Sequence, residues 1–350
     1  VGARPQFIKA APVSRKIRKE NTEVLVHTGQ HYDENMSKVF FDELNIPKPD
    51  YNLGVGSASH GKQTGKMLIE IEKVIMKENP DYVLVYGDTN STIAGALAAS
   101  KLHISVAHVE AGLRSYNKNM PEEQNRVLTD HISDLLFCPT KTSVENLKKE
   151  GITNGVHNVG DVMYDSVLYN VEIARKKSNI LENLNLNKNK YYLATIHRAE
   201  NTDNKEKLLT ILDSLNELDE KVVFPVHPRT NKKMNDYGRN KNYYSNIKFI
   251  KPVSYLDMLK LIDNSIKILT DSGGLQKEAY FLEKACITLR EKTEWIETLN
   301  NNYNILVKKD LDKIKNYVNL SIDINKKSEY FGDGNSAKKI ISKLRIDKSE

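Results

Sequence analysis

The sequence predicts an α/β protein of two Rossmann-like, doubly wound parallel-sheet domains. Three observations lead there. Short apolar runs alternate with longer segments of helical period from end to end, the signature of parallel strands joined by right-handed crossover helices on both faces. At 350 residues the chain is long for one domain and suits two. Between Asp161 and Lys190 the alternation stalls, a helical start giving way to an Asn- and Lys-rich run with little apolar content. The boundary is therefore expected there, with residues 1–165 as the first domain and 166–334 as the second. Residues 335–350, apolar at Ala337, Ile340, Ile341 and Leu344, are expected to form a helix that returns to the first domain.

The elements follow in order. The first half is expected to hold strands over Glu23–His27, Tyr82–Tyr86, Ser105–Val109 and Leu135–Cys138. The second half adds strands over 191–196, 222–226, 247–250, 266–270, 286–289 and 305–307. Helices are expected over 61–78, 91–102, 121–133, 205–218 and 275–283. The chain opens on Val1-Gly2 without Met, as if in the last residues of a strand, so residues upstream of it are expected.

Composition excludes several classes. With 39% hydrophobic and 28% charged residues the chain is an ordinary globular one. Its 52 basic and 46 acidic residues leave a net charge of +6 spread along the length. That balance suits a phosphorylated substrate better than nucleic acid, which calls for a concentrated basic patch. Clusters such as Asn187-Lys188-Asn189-Lys190 read as solvated loops. Cys138 and Cys286 sit inside apolar runs, with no His or second Cys at metal spacing, so neither a metal nor a disulfide framework is expected. This usage points to a reducing, cytoplasmic setting. No apolar run reaches the ~18 residues of a membrane span.

The most informative stretch is Asp271-Ser272-Gly273-Gly274, which ends a β-prone run and opens the helical segment Leu275-Gln276-Lys277-Glu278. The first amides of a helix lack intrahelical acceptors and its dipole is positive there, so an anion can be held by the main chain. Glu278 follows about one turn later, where a carboxylate could accept both hydroxyls of a ribose. The plainer alternative is an N-capped helix after a turn.

In open parallel sheets ligands gather at the carboxyl ends of strands, and the polar residues of this chain crowd there. They include Asp88 after 82–86, Glu110 and Arg114 after 105–109, His197 and Arg198 after 191–196, and His227 and Arg229 after 222–226. Glu122 and Glu123 open a helix behind Pro121. Each has a structural alternative. Asp88 could cap a helix, Glu122 or Glu123 could complement a helix dipole, His197 or His227 could be interior, and Arg4, Arg114 and Arg198 could form salt bridges. Their joint occurrence at strand ends in both halves instead suggests carboxylates and a histidine around an interdomain cleft beside a phosphate site. Such a set suits proton abstraction at carbon with departure of a charged leaving group. The sequence has no Walker-type Gly-Lys-Ser/Thr and no Gly-x-Ser-x-Gly elbow, which disfavours P-loop phosphoryl transfer and serine hydrolysis.

Together these motifs resemble the non-hydrolysing UDP-N-acetylglucosamine 2-epimerases. The residues that carry the likeness are Gly2-Ala3-Arg4-Pro5-Gln6 with Lys9, Gly29-Gln30-His31, Gly87-Asp88-Thr89, and His108 through Arg114. Further on they are Pro121-Glu122-Glu123 with Asn125-Arg126, His197-Arg198 with Glu200-Asn201, His227-Pro228-Arg229, and Asp271 through Glu278. The resemblance implies a glycosyltransferase-B arrangement, with UDP on the second domain and the sugar facing the first. It implies Ser272, Gly273 and Gly274 at the diphosphate, Glu278 at the ribose, Arg4 and Lys9 at the phosphates and Met258 near the uracil. Asp88, Glu110 and Glu122 become the acid/base carboxylates and His197 the histidine beside the leaving diphosphate. The implied chemistry removes the C2 proton, expels UDP to give a 2-acetamidoglucal, and re-adds UDP with a proton on the opposite face, needing neither metal nor redox cofactor. A UDP-sugar ligand, a homodimer and a role in polysaccharide biosynthesis are likewise implied.

The chain departs from that pattern in places. Gln6 replaces the usual Glu, and Thr293-Glu294-Trp295-Ile296-Glu297 stands where many members read Thr-Glu-Arg-Pro-Glu. The Glu-Trp form, with Gly29-Gln30-His31-Tyr32-Asp33, resembles the branch acting on UDP-2,3-diacetamido-2,3-dideoxyglucuronic acid. The residues of the activating second UDP-GlcNAc site found in many bacterial members do not match well here. A hydrolysing relative, a glycosyltransferase of the same architecture and a non-enzymatic nucleotide-sugar sensor stand as alternatives.

Overall fold

A computed structural model describes residues 1–2, 4–29, 46–293, 295–321 and 330–344, side chains at 4, 5 and 300–302 excepted. The expected motif at residues 30–33, the Arg4 side chain and Glu294 lie outside the described residues. The chain divides into two compact units, Val1–Ser166 with Glu329–Glu350, and Val167–Ser328.

In the first unit β1 (Val26–His27) pairs in parallel with β2 (Tyr51–Asn52), and Gly2 bridges to His27. The Val1 nitrogen donates to Leu84 O at 2.9 Å, so the opening dipeptide lies beside the next sheet. That sheet is parallel, in the order β3 (Tyr82–Tyr86), β4 (Ser105–Val109), β5 (Leu135–Cys138), β6 (Val156–Asn158). Helix α1 (Arg4–Ile17) follows the opening dipeptide, α2 (His60–Glu78) precedes β3, and α3 (Asn90–Lys101) joins β3 to β4. Next come α4 (Pro121–His131), α5 (Lys141–Lys149) and α6 (Val162–Lys177), the last counted in the second unit from Val167 on. Met67, Ile71 and Ile75 recur every fourth residue on α2 and are buried against β3 and α3. Small residues let α3 lie tight on the sheet: a Cβ at Gly95 would stand 3.1 Å from Val85 Cγ1.

The second unit is a six-stranded parallel sheet. In chain order its strands are β7 (Tyr191–Thr195), β8 (Lys221–Pro225), β9 (Ile247–Ile250), β10 (Lys267–Thr270), β11 (Ala285–Thr288) and β12 (Asn304–Leu306). Their order in the sheet is β12-β11-β10-β7-β8-β9. Chain direction across the sheet therefore reverses between β7 and β10, which makes their carboxyl ends the switch point where ligands bind in such sheets. The connecting helices are α7 (Ile180–Asn183), α8 (Ala199–Thr202), α9 (Lys205–Asn216), α10 (Pro228–Asp236), α11 (Tyr255–Asn264), α12 (Gly273–Phe281) and α13 (Ile314–Val318). The terminal helix α14 (Ser336–Leu344) packs against α1, and Asp165 accepts from Ser336 N and Ala337 N at 3.0 and 2.8 Å.

The α/β class with parallel sheets is as expected, and the strand bounds shift by at most one residue except at β1, which keeps only two of five expected residues. Sequence reasoning missed α1, whose helical pattern Pro12 interrupts, and β6, with a single apolar residue in three. Gly112 shows how tightly β4 delivers its end. Its φ is +78°, and a Cβ there would meet Ser143 O at 2.4 Å. Gly112→Ala is expected to cost about 2–4 kcal/mol of stability, read by denaturant titration; a loss below about 0.5 kcal/mol would contradict this packing.

Candidate active site

At the carboxyl end of β3 the chain turns through Gly87, at φ +63°. Thr89, not Asp88, is the N-cap residue of α3, its N–H donating to Thr92 Oγ1 at 3.1 Å. Asp88 is thereby left to pair with Arg126, which also donates to Glu123 Oε2 at 2.7 Å. The end of β4 supplies Glu110, a non-glycine residue at φ +76°. Such a conformation costs roughly 1–2 kcal/mol and concentrates at functional sites. The Glu110 side chain is buried and paired to Lys9, itself delivered from α1. A Cβ at Gly87 would stand 3.3 Å from Glu110 Oε2 and 3.4 Å from Lys9 Nζ, so glycine there makes room for the pair. Asp88, Glu110, Lys9 and Arg126 thus form a compact cluster of two carboxylates and two cations.

The two acids that open α4 separate cleanly. Glu123 is buried and accepts from Ser115 N, Ser115 Oγ and Tyr116 N at 2.9, 2.9 and 2.8 Å. Burial pushes its carboxyl up, but those donors and Arg126 outweigh it and hold it below the usual range. It is a structural group. Glu122 is exposed, with no hydrogen bond or ion pair recorded among the described residues. Arg114 is buried, donating to Asp130 Oδ2 and to both Glu150 oxygens at 2.6–2.7 Å. Those donors serve the framework of its own unit.

In the second unit the switch point brings His197 to Asp271, with Nδ1 and Oδ1 3.4 Å apart. Asp271, fully buried at the end of β10, accepts from His197 N at 3.1 Å, Arg198 N at 3.0 Å and Asn201 Nδ2 at 3.1 Å. One carboxylate therefore ties the loop after β7 to the start of α12. His197 is partly exposed, its ring centroid 5.5 Å from that of His227. His227 caps α10, its Nδ1 accepting from Arg229 N at 3.1 Å, so its proton sits on Nε2. Burial, then His197 and Arg229, hold the His227 ring below its usual pKa. Arg229 is turned to Asp203 and to Thr202 Oγ1. Arg198 is half-buried.

Ser272 is the N-cap of α12, its Oγ accepting from Leu275 N at 3.4 Å. The amides of Gly273 and Gly274 precede any intrahelical acceptor, and Gly274 is exposed, which leaves the helix start open to an anion. Glu278, a turn and a half on, is buried. Burial pushes its carboxyl up to about 8, against Lys277 and the Tyr255 hydroxyl, which favour the ionised form. Met258 lies three residues after Tyr255 on α11, on the same face, and is half-buried. Trp295, at the position where many members of the resembling family read arginine, is buried with its ring centroid 3.9 Å from Lys277 Nζ, a cation–π contact.

Sequence reasoning missed Arg126 as part of the first cluster, Asp130 as the acceptor that holds the buried Arg114, and Asp271 as the tie of the second. A signal existed for the first two: Glu123, Arg126 and Asp130 recur at helical spacing on one buried face of α4.

Both units are α/β with parallel sheets, of the glycosyltransferase-B-like fold class, and the second carries an open helix start at its switch point. The sequence profile described as UDP-N-acetylglucosamine 2-epimerase matches residues 15–345. A Methanococcus maripaludis protein named UDP-N-acetylglucosamine 2-epimerase homolog is 58% identical over 350 residues, covering 99% of this chain and 98% of that one. The Pseudomonas aeruginosa UDP-2,3-diacetamido-2,3-dideoxy-D-glucuronate 2-epimerase is 48% identical over 354 residues, with 98% of each covered. The crystal structure of Methanocaldococcus jannaschii UDP-GlcNAc 2-epimerase in complex with UDP-GlcNAc and UDP matches with TM-score 0.87 and 48% identity, covering 98% of each chain. The chain belongs to the UDP-N-acetylglucosamine 2-epimerase family. Among the described residues no helix is long and apolar enough to cross a membrane.

Proposed function

We propose that this protein epimerises a UDP-2-acetamido sugar, UDP-GlcNAc to UDP-ManNAc, at C2 without net hydrolysis. The observation that carries the reading is the cluster of Asp88 and Glu110 with Lys9 and Arg126 at the strand ends of the first unit. In the second unit the Ser272-Gly273-Gly274 helix start is the anion cradle that complements it. Ser272 and the two glycine amides hold the diphosphate, Glu278 accepts the ribose hydroxyls, and Met258 packs by the uracil. Lys9 and Arg4 add positive charge at the phosphates, and Arg198, Arg229 and His227 line the anion's approach. A carboxylate among Asp88, Glu110 and Glu122 takes the C2 proton. The electron pair of that C–H bond forms the C1–C2 double bond as the C1–O bond breaks toward UDP, with His197 beside the departing diphosphate. UDP then adds back to C1 of the 2-acetamidoglucal and a second carboxylate returns a proton to the other face of C2. Preorganised cations stabilise the charge that grows on the diphosphate, which is where such groups lower a barrier most.

Turnover of UDP-GlcNAc in heavy water should place deuterium at C2 of the recovered sugar nucleotide with no net UDP released. Recovered product without C2 label would contradict the reading; net UDP release in step with turnover would favour a hydrolysing relative, and acceptor-dependent turnover a glycosyltransferase.

A second reading, epimerisation of UDP-2,3-diacetamido-2,3-dideoxyglucuronic acid, is favoured by the similarity to the Pseudomonas enzyme and by Trp295 in place of arginine. The same experiment run with that sugar nucleotide separates the two by relative rate.

A further inference from the structure

We infer that Asp130 is a positioning residue for Glu110, holding the end of β4 on both sides of that carboxylate so that it stays in its left-handed conformation against Lys9. The inference rests on the reading of Glu110 as an acid/base group.

A left-handed glutamate persists only where its surroundings over-determine it, and here they do. Phe137 O on β5 accepts from both Glu110 N and Ala111 N, at 3.0 and 3.1 Å. Two residues before Glu110, His108 Nδ1 faces Asp130 Oδ1 at 2.7 Å; two residues after it, Gly112 N donates to Asp130 Oδ2 at 3.1 Å. A single carboxylate from α4 therefore grips both shoulders of the turn. The grip extends to the facing strand, because His108 Nε2 meets Gly87 O at 2.8 Å, and Gly87 forms the wall against which Glu110 and Lys9 meet.

Asp130 cannot touch a substrate itself, being 1% exposed. Its charge is held by His108 and by Arg114, which donates to it at 2.6 Å. Burial pushes the Asp130 carboxyl up, yet His108 and Arg114 outweigh that and keep it ionised well below the usual range. This chain explains why the buried Arg114 lies at the end of the motif that starts with His108: it orients the group that orients Glu110.

A double-mutant cycle tests the inference. Asp130→Asn keeps the shape and turns one of the two acceptors into a donor facing His108 or Gly112. The rate of C2 exchange per UDP-titrated site is expected to fall about 30–100-fold, the scale of an ångström's misplacement, with KM within about threefold. In the Glu110→Gln background the same change should cost less than about threefold more, because its effect is routed through that carboxylate. A merely structural role would instead cost as large a factor in the Glu110→Gln background as in the parent. If Asp130→Asn does not fold, His108→Gln, whose amide can still reach Gly87 O, is carried through the same cycle with the same expectation. Exchange within threefold of the parent, or an equal loss with and without the Glu110 carboxylate, overturns the inference. Parental exchange in Glu110→Gln alone would instead sink the acid/base reading, and the inference with it.

Discussion

Glu110→Gln is expected to lower C2 proton exchange about 10³-fold while leaving UDP affinity within about threefold. The replacement keeps the side chain's size and removes the charge that Lys9 now faces. Removing a general acid or base typically costs 10² to 10⁴ in rate. UDP affinity should hold because Lys9 keeps its charge and the main anchors, the diphosphate cradle and Glu278, belong to the second unit, framed by their own bonds to Asp271, Ser272 and Tyr255. Proton NMR in heavy water reads the exchange and calorimetry the affinity. A variant that exchanges within tenfold of the parent would remove Glu110 from the chemistry.

Glu278→Gln is expected to raise thermal stability above pH 8 and weaken UDP binding together. The carboxyl is pushed up by burial from its ordinary 4.5 to about 8. The folded protein therefore keeps a proton that the unfolded chain releases between about pH 4.5 and 8. Stability contributed by the neutral carboxyl is fully present below pH 4.5 and is lost as pH rises through 8, where a buried charge costs a few kcal/mol. Glutamine removes that loss, so the variant's melting temperature should exceed the parent's by several degrees at pH 8.5 and match it near pH 4.5. Ribose hydroxyls donating to the carboxylate favour the ionised form. The parent's UDP affinity, relative to the variant's, should rise up to about tenfold per unit between pH 6.5 and 8. The ratio of the two proteins cancels the titration of UDP itself. An affinity unchanged by the substitution at every pH would take Glu278 out of the nucleotide site.

How far the sequence carried depended on whether a feature is local. Tyr82–Tyr86 and Ser105–Val109 read as strands because apolar β-prone residues run between clear breaks, and both are strands. Asp271-Ser272-Gly273-Gly274 read as a helix start because cap and glycines adjoin, and Ser272 does cap α12. What could not be read was long-range. Asp130 acquires its partners from β4 and from Gly112, some 18 to 22 residues earlier, and nothing in its own neighbourhood announces them. Asp271 was visible as a motif member, but its tie to His197 and Arg198 spans more than 70 residues. Glu122 and Glu123 look alike in sequence, and only the Ser115–Tyr116 turn, which claims Glu123, tells them apart. Local chemistry was thus legible, while the division between groups that act and groups that hold them was not.

A crystal structure with bound UDP-GlcNAc tests the central claim most directly. The pyrophosphate is expected on the amides of Gly273 and Gly274 beside Ser272, Glu278 on the ribose, and C2 of the sugar within about 3.5 Å of a carboxylate oxygen of Asp88, Glu110 or Glu122. A nucleotide seated elsewhere, or a sugar whose C2 meets none of those carboxylates, would contradict it.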